Sequence, residues 1–96
     1  MSDHHQFPPS AERAKSARVD HDTYMDMYQR SIEQPDAFWD EMGRAQIDWM
    51  KPYTKINNST YDATSLSIKW YEEGTLNASA NCLDRHLDTR GDQTAL

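Results

Sequence analysis

Aromatic side chains are concentrated in the middle of this 96-residue chain, and they constrain its fold more than any other feature. There are three Trp, five Tyr and two Phe, and all except Phe7 lie between Tyr24 and Tyr71. Such rings carry large apolar surfaces that usually become buried. The rest of the chain is polar, with a mean hydropathy of −1.00. We therefore expect the rings to pack against one another, against a partner, or against further polypeptide.

Length and charge exclude several classes of protein. A chain of this length forms at most one small domain, which buries only roughly 60–65 % of the surface that it exposes when unfolded. The net charge of −6 disfavours binding to nucleic acid or to anionic membranes. A polar N-terminus without a signal sequence and a single cysteine, Cys82, indicate a cytoplasmic protein.

Residues 1–21 are predicted to be a disordered tail. They contain Pro8-Pro9, scattered charges and little apolar periodicity. A short helix from Ala11 to Ala17 fits the pattern but would be marginal alone.

Two helices are predicted next. The first begins at Asp22, which would cap it, and carries Tyr24, Tyr28 and Ile32 at four-residue spacing up to about Gln34. Pro35 ends this helix and fits the first turn of the next one.

The second helix extends to about Ala45 and places Phe38, Trp39 and Met42 on one side. Gly43 should weaken it by about 1 kcal/mol relative to alanine.

A β-hairpin and a last helix complete the prediction. Strands are expected at residues 53–56 and 66–71, with a turn at residues 57–62. The last helix should be capped by Asn77, run to Thr89 or Arg90, and end at a left-handed Gly91. Residues 94–96 look like the first residues of a strand, and we expect sequence to continue beyond them.

Cys82 and His86 are four residues apart, a spacing that can place two metal ligands on one side of a helix. A closed zinc site needs about four ligands, and His4, His5 and His21 lie in or beside the tail. Cys82 is therefore interpreted as a small buried hydrophobic residue.

The neighbouring Asp84-Arg85-His86 is interpreted as an ion-pair set on the helix surface, because adjacent helical residues point in different directions. As a nucleophile, Cys82 lacks a positioned base.

A nucleotide site finds little support. The glycines at 43, 74 and 91 are too dispersed to build a phosphate-binding loop. An aromatic-basic group is formed by Lys51, Lys55 and Lys69, interleaved with Trp49, Tyr53, Trp70 and Tyr71. We interpret its lysine stems as covering aromatic faces at a packing interface, with contact to a nucleotide or phosphate as the alternative. We assign no catalytic, cofactor-binding or metal-binding residue to the chain.

Three stretches resemble the amino terminus of AMP-forming acetyl-CoA synthetases. These are YQRSIEQPDAFWDE at residues 28–41, IDWMKPYTKI at 47–56 and SIKWYEEGTLNASANCLDRHLDTRGDQTAL at 67–96. The most specific part is WYEEGTLN at residues 70–77, leading into NCLDRHL at 81–87. Ala63-Thr64-Ser65 departs from the family, which more often has a turn containing Pro and Gly there.

The resemblance implies a ligase that joins acetate to ATP and transfers the acetyl group to coenzyme A. It also implies that the residues which bind ATP, magnesium and coenzyme A lie beyond Leu96. Propionyl-CoA synthetases share much of this opening segment, so the resemblance leaves acetate and propionate open.

The predicted fold class is α+β and mainly helical. We expect residues 22–91 to form a helical cap with a small β-hairpin, and residues 92–96 to begin the nucleotide-binding domain of a larger α/β adenylate-forming ligase. Alone, the chain should be inactive, and its partner should be the remainder of the ligase. The alternative is a stand-alone protein-interaction module.

Overall fold

A computed structural model describes residues 5–96 of the chain. It divides at Pro35 into two compact units, the second covering Asp36–Leu96. The described part is mainly helical with one small antiparallel hairpin, which confirms the predicted fold class. The helices are α1 (Ala11–Ser16), α2 (His21–Glu33), α3 (Pro35–Gln46), α4 (Ala78–Cys82) and α5 (Leu87–Arg90), and the strands are β1 (Lys55–Asn57) and β2 (Trp70–Glu72).

Side-chain caps begin both helices of the first unit. Ser10 Oγ accepts a hydrogen bond from the backbone N–H of Arg13 at 3.3 Å, so the short helix lies where the sequence placed it. Asp20 Oδ1 accepts from the N–H of Thr23 at 2.8 Å. The prediction that Asp22 caps α2 is therefore wrong by two residues: Asp22 lies inside the first turn, where its charge still favours the helix dipole. Disorder of residues 1–21 stays a prediction.

Proline separates α2 from α3 as predicted. Gln34 ends α2 with a non-helical backbone, and Pro35 is the first residue of α3. The helix continues to Gln46, one residue beyond the predicted end. Within α3, Phe38 and Gly43 are buried, so this helix supplies one wall of the second unit.

The hairpin is shorter and lies later in the sequence than predicted. Its register pairs Lys55 with Glu72 and Asn57 with Trp70. Pairing continues irregularly on both sides through isolated bridges between Thr60 and Ser67 and between Lys51 and Thr75. Tyr71, in the middle of β2, has a φ of 50°, and Glu73, directly after the strand, has a φ of 65°. These left-handed backbone angles end the regular strand at Glu72.

The hairpin turn also differs from the prediction. Residues 57–60 pair with the opposite strand, and the chain reverses around Asp62 instead. Asp62 Oδ1 accepts from the N–H of Thr64 at 2.8 Å, and the Asp62 carbonyl accepts from the N–H of Ser65 at 3.1 Å. Aspartate forms such turns readily, and this one is built on Ala63-Thr64-Ser65.

The predicted last helix is broken into three pieces. Asn77 caps α4 as predicted, accepting from the N–H of Ala80 at 3.0 Å. Leu83 then leaves helical geometry, and a 3₁₀ turn at Asp84–His86 precedes α5. Gly91 has φ −57° and ψ −34°, so the predicted left-handed stop is wrong. Residues 94–96 form no strand in the structure, and the start of a further domain at 92–96 stays a prediction.

Candidate functional site

Three rings form the centre of the second unit, and we call Trp49, Tyr53 and Tyr71 the ring cluster. Their centroids lie 5.1 Å apart for Trp49 and Tyr53, 5.4 Å for Trp49 and Tyr71, and 4.9 Å for Tyr53 and Tyr71. All three pairs are tilted or edge-to-face, the geometry that the quadrupole of an aromatic ring favours. Tyr53 is only 7 % exposed. The sequence grouped these rings with lysines and predicted a packing interface, with contact to a nucleotide or phosphate as the alternative.

Two glycines make room for the cluster. A Cβ atom on Gly43 would lie 2.7 Å from Cε1 of Tyr71, and one on Gly74 would lie 2.7 Å from Cζ3 of Trp49. Any larger residue at either position would displace a ring. The glycine that weakens α3 by its helix propensity is therefore needed for close packing.

The polar tips of all three rings end on α3. Trp49 Nε1 donates to the Gly43 carbonyl at 2.9 Å, and Tyr71 Oη donates to the Trp39 carbonyl at 2.7 Å. Tyr53 Oη donates to Asp40 Oδ1 at 2.5 Å. Each ring therefore has an internal partner for its donor, and the donors are not directed at a ligand.

The charge at Asp40 belongs to the same arrangement. The hydrogen bond from Tyr53, and next the bond from Arg44 at 3.0 Å, lower the pKa of the Asp40 carboxyl. Burial, followed by the bond to Asp40, raises the pKa of Tyr53 to about 12. Burial likewise raises the pKa of Tyr71. These shifts oppose acid-base chemistry near neutral pH, because the carboxyl stays ionised and the phenols stay protonated.

Three further aromatic residues extend the cluster outwards. Trp39 lies edge-to-face against Phe38 at 5.0 Å and against Trp70 at 6.3 Å. Phe38 is 5 % exposed, but Trp39 is 40 % and Trp70 45 % exposed. Of these three rings, this chain buries only Phe38. Trp39 and Trp70 stay partly exposed, so their predicted burial by further polypeptide stays a prediction.

The lysines of the aromatic-basic group do not form an open cationic site, because two of them lie beside Glu72. Lys69 Nζ lies 3.5 Å from Glu72 Oε1, Lys55 is the register partner of Glu72, and Lys51 forms the bridge with Thr75. A cation that does lie over a ring of the cluster is the Arg44 guanidinium, 5.1 Å from the Tyr53 centroid. The arrangement favours packing over phosphate binding.

A set of polar contacts, which the sequence alone did not indicate, joins α4 and the 3₁₀ turn to the end of α3 and the residues after it. The Asn81 side chain accepts from the N–H of Asp48 at 2.8 Å and donates to the Asp48 carbonyl at 3.0 Å. Arg85 Nη1 donates to the Gln46 carbonyl at 3.0 Å and lies 3.7 Å from Asp48 Oδ2. The sequence predicted an ion-pair set at 84–86 without naming partners, and the structure pairs Arg85 with Asp48.

The helical spacing of Cys82 and His86, which raised the question of a metal site, is absent from the structure. Cys82 is the last residue of α4 and His86 lies in the 3₁₀ turn, so the two do not share one helix. Cys82 is exposed, which contradicts its interpretation as a buried residue. Among residues 5–96, no group of three or more His, Cys, Asp or Glu side chains is placed to hold a metal ion. His4 lies outside the described residues.

Comparison with known proteins decides the family. The family model described as "Acetyl-coenzyme A synthetase N-terminus" matches residues 24–82, which include most of α2, the ring cluster and both of its glycines. The chain belongs to this acetyl-coenzyme A synthetase N-terminus family. The predicted resemblance is thereby confirmed.

Relatives match along nearly the whole chain. The acetyl-coenzyme A synthetase of Marinobacter nauticus is 57 % identical over 96 residues, covering 100 % of this chain and 15 % of the relative. The enzyme of Methylocella silvestris is 53 % identical over 90 residues, 94 % of this chain and 14 % of the relative. The enzyme of Vibrio cholerae is 48 % identical over 96 residues, again 100 % and 15 %.

The matched region is therefore a small part of each relative. The chain spans about 15 % of the length of the synthetases that it matches. Within residues 5–96, no helix is both long and apolar enough to cross a membrane.

Proposed function

We propose that the chain is the N-terminal architectural segment of an AMP-forming acetate–CoA ligase. The observation that carries this proposal is identity of 57 % along all 96 residues to the synthetase of Marinobacter nauticus, in a region that is 15 % of that protein. The segment packs its aromatic residues to form a cap on the rest of the polypeptide, and it carries none of the reacting groups.

The internal use of the ring cluster supports an architectural role. The Trp49, Tyr53 and Tyr71 donors all end on α3, at 2.9, 2.5 and 2.7 Å. A site that recognises a nucleotide or an acid needs donors and acceptors left free to meet it. Here the polar groups of the ring cluster form hydrogen bonds within the chain instead.

The proposed parent joins acetate, ATP and coenzyme A into acetyl-CoA, AMP and pyrophosphate. ATP, magnesium and coenzyme A are bound by residues of the parent outside this segment, in the cytoplasm. Acetate is the proposed acid because the relatives carry the name acetyl-coenzyme A synthetase.

A chimaeric enzyme tests this function. This chain replaces the matched N-terminal region of the Marinobacter nauticus synthetase, and acetate-dependent exchange between ATP and pyrophosphate is measured. We expect the chimaera to exchange at a rate close to that of the natural enzyme and the purified 96-residue chain to show none. Exchange by the short chain alone, or a soluble but inactive chimaera, contradicts the proposal.

The choice of acid has its own measurement. In the chimaera, kcat/KM for acetate and for propionate should keep the ratio of the natural Marinobacter nauticus enzyme, since the proposed acid-binding residues lie outside the exchanged segment. A ratio shifted towards propionate would mean that this segment helps to select the acid.

A further inference from the structure

Residues 66–70 of the hairpin expose their apolar side chains and partly bury a polar one. Leu66, Ile68 and Trp70 occupy alternate positions of a cross-strand-bonded segment, and we call them the outer row. They are 66 %, 55 % and 45 % exposed. Ser67, between them, is more buried than either Leu66 or Ile68. Alternate residues of a strand share one face, so an apolar face is left open.

The backbone around the outer row is well bonded, so the exposure is not the result of a loose loop. Ser67 and Thr60 exchange hydrogen bonds at 3.0 and 2.7 Å, and the N–H of Asn58 donates to the Lys69 carbonyl at 2.8 Å. Trp70 is held in register opposite Asn57. The row is therefore presented on a fixed ladder, and Trp39 extends it, 6.3 Å from Trp70.

Charges beside the outer row are already satisfied within the hairpin. Glu72 lies 3.5 Å from Lys69 Nζ, and its other carboxylate oxygen accepts from Asn58 Nδ2 at 2.9 Å. Lys55 lies opposite Glu72 in the register. A surface of this kind favours an apolar polypeptide over a charged ligand, because charged groups at its rim are mutually compensated.

Size decides between a second copy of the chain and an attached partner. A stable dimer buries roughly 600 Å² or more on each partner, which exceeds what three or four partly exposed side chains offer. A small surface suffices when its partner is tethered, since the effective concentration of an attached partner is on the order of mM. The matched region is 15 % of the relatives' length, so most of the ligase polypeptide is available for this contact.

We infer that the outer row of Leu66, Ile68 and Trp70, with Trp39 at its end, is the surface by which this segment docks onto the polypeptide that follows it in the ligase. The inference rests on the proposed function. It assigns the docking contact to the outer row and Trp39, whereas the adjoining ring cluster, with Tyr71 6.3 Å from Trp70, holds the segment together.

The test compares one lysine substitution in two settings. Ile68→Lys places a charge in the outer row, and Ala63→Lys adds the same charge to the exposed hairpin turn as a matched control. In the chimaeric enzyme, Ile68→Lys should lower the unfolding midpoint by several degrees, and Ala63→Lys should leave it unchanged. In the 96-residue chain alone, neither substitution should shift the midpoint, because Ile68 is already 55 % exposed.

Three results would overturn the inference. The first is a chimaera that responds equally to both substitutions, and the second is a short chain that is destabilised by Ile68→Lys as strongly as the chimaera. The third is a dimer of the short chain, detected by sedimentation, that Ile68→Lys dissociates; a second copy would then be the occupant. An unsubstituted chimaera that is soluble but lacks exchange activity defeats the proposed function itself, and the inference falls with it.

Discussion

Two regions of this chain are rich in aromatic residues, but one exposes its rings and the other buries them. In α2, the Tyr24, Tyr28 and Ile32 stripe is 55 %, 52 % and 61 % exposed, with the two Tyr rings stacked on each other at 6.1 Å. In the ring cluster, Tyr53 is 7 % exposed and contacts two other rings. The difference lies in what surrounds each ring, and spacing along the sequence does not reveal it.

Two physical conditions are met in the ring cluster. Glycines at 43 and 74 let rings approach the backbone closely, and acceptors on α3 satisfy each polar tip. A buried hydroxyl or indole N–H without a partner would cost about 1–3 kcal/mol. Ring, glycine and acceptor must therefore occur together for a polar aromatic residue to be buried in so small a unit.

The largest expected effect comes from removing a ring in each region. Tyr53→Ala should cost about 3–5 kcal/mol of unfolding free energy, as for other buried aromatic residues. Tyr28→Ala, at a position 52 % exposed, should change it by less than about 0.5 kcal/mol. Urea unfolding of both variants, followed by near-ultraviolet circular dichroism, makes the comparison. Equal losses would abolish the distinction between the two regions.

The next effect tests the close approach at Gly43. Gly43→Ala should lower the unfolding free energy by about 1–2 kcal/mol, because overpacking against Tyr71 outweighs the gain in helix propensity. The same substitution in a Tyr71→Leu background, where the ring is absent, should be neutral or stabilising. A double-mutant cycle measured by urea unfolding gives the coupling. Without coupling between positions 43 and 71, the glycine has no packing role.

A smaller effect concerns a single hydroxyl. Tyr71→Phe removes the bond to the Trp39 carbonyl and should cost about 0.5–1.5 kcal/mol. Tyr24→Phe in the exposed stripe is the matched control, with an expected change below about 0.5 kcal/mol. Thermal unfolding of the two variants side by side measures the difference. A Tyr71→Phe variant as stable as the unsubstituted chain would show that the bond contributes nothing.

A further effect is a dependence on pH at the Asp40–Tyr53 bond. The pKa of Asp40 is lowered in the folded chain from its ordinary 3.8, so its contribution is present above pH 3.8 and is lost as the pH falls through the folded value. The pKa of Tyr53 is raised from 10.0 to about 12, so its contribution is present below pH 10 and is lost as the pH rises to about 12.

Urea midpoints measured from pH 6 to 3 and from pH 9 to 12 should therefore fall at both ends. Asp40→Asn should flatten the acid side, and Tyr53→Phe the alkaline side. If neither substitution alters the profile, the bond between the two side chains does not contribute to stability.

Local patterns predicted much of the secondary structure. Pro35 at the start of α3, Asn77 as the cap of α4 and the short helix after Ser10 all follow from rules that involve a few neighbouring residues. Asp20 took the capping role expected of Asp22, since both aspartates fit the same local rule.

Long-range contacts account for two of the errors, and a local contact accounts for the third. The predicted last helix breaks where Asn81 and Arg85 reach back to Asp48 and Gln46, more than thirty residues earlier. The hairpin turn moved because Asp62 holds the backbone of Thr64 and Ser65. The role of Gly43 was missed because helix propensity counts only its own helix, whereas its partner, Tyr71, lies on β2.

The central claim is that the ring cluster is stable within this chain, whereas the outer row is covered only by the rest of the ligase. Hydrogen exchange, compared between the 96-residue chain and the chimaeric enzyme, tests it most directly. We predict that peptides from residues 49–58 are protected similarly in both, and that peptides from residues 64–70, which carry the outer row, gain protection in the chimaera. Unprotected peptides from 49–58 in the short chain, with protection appearing only in the chimaera, would contradict the account.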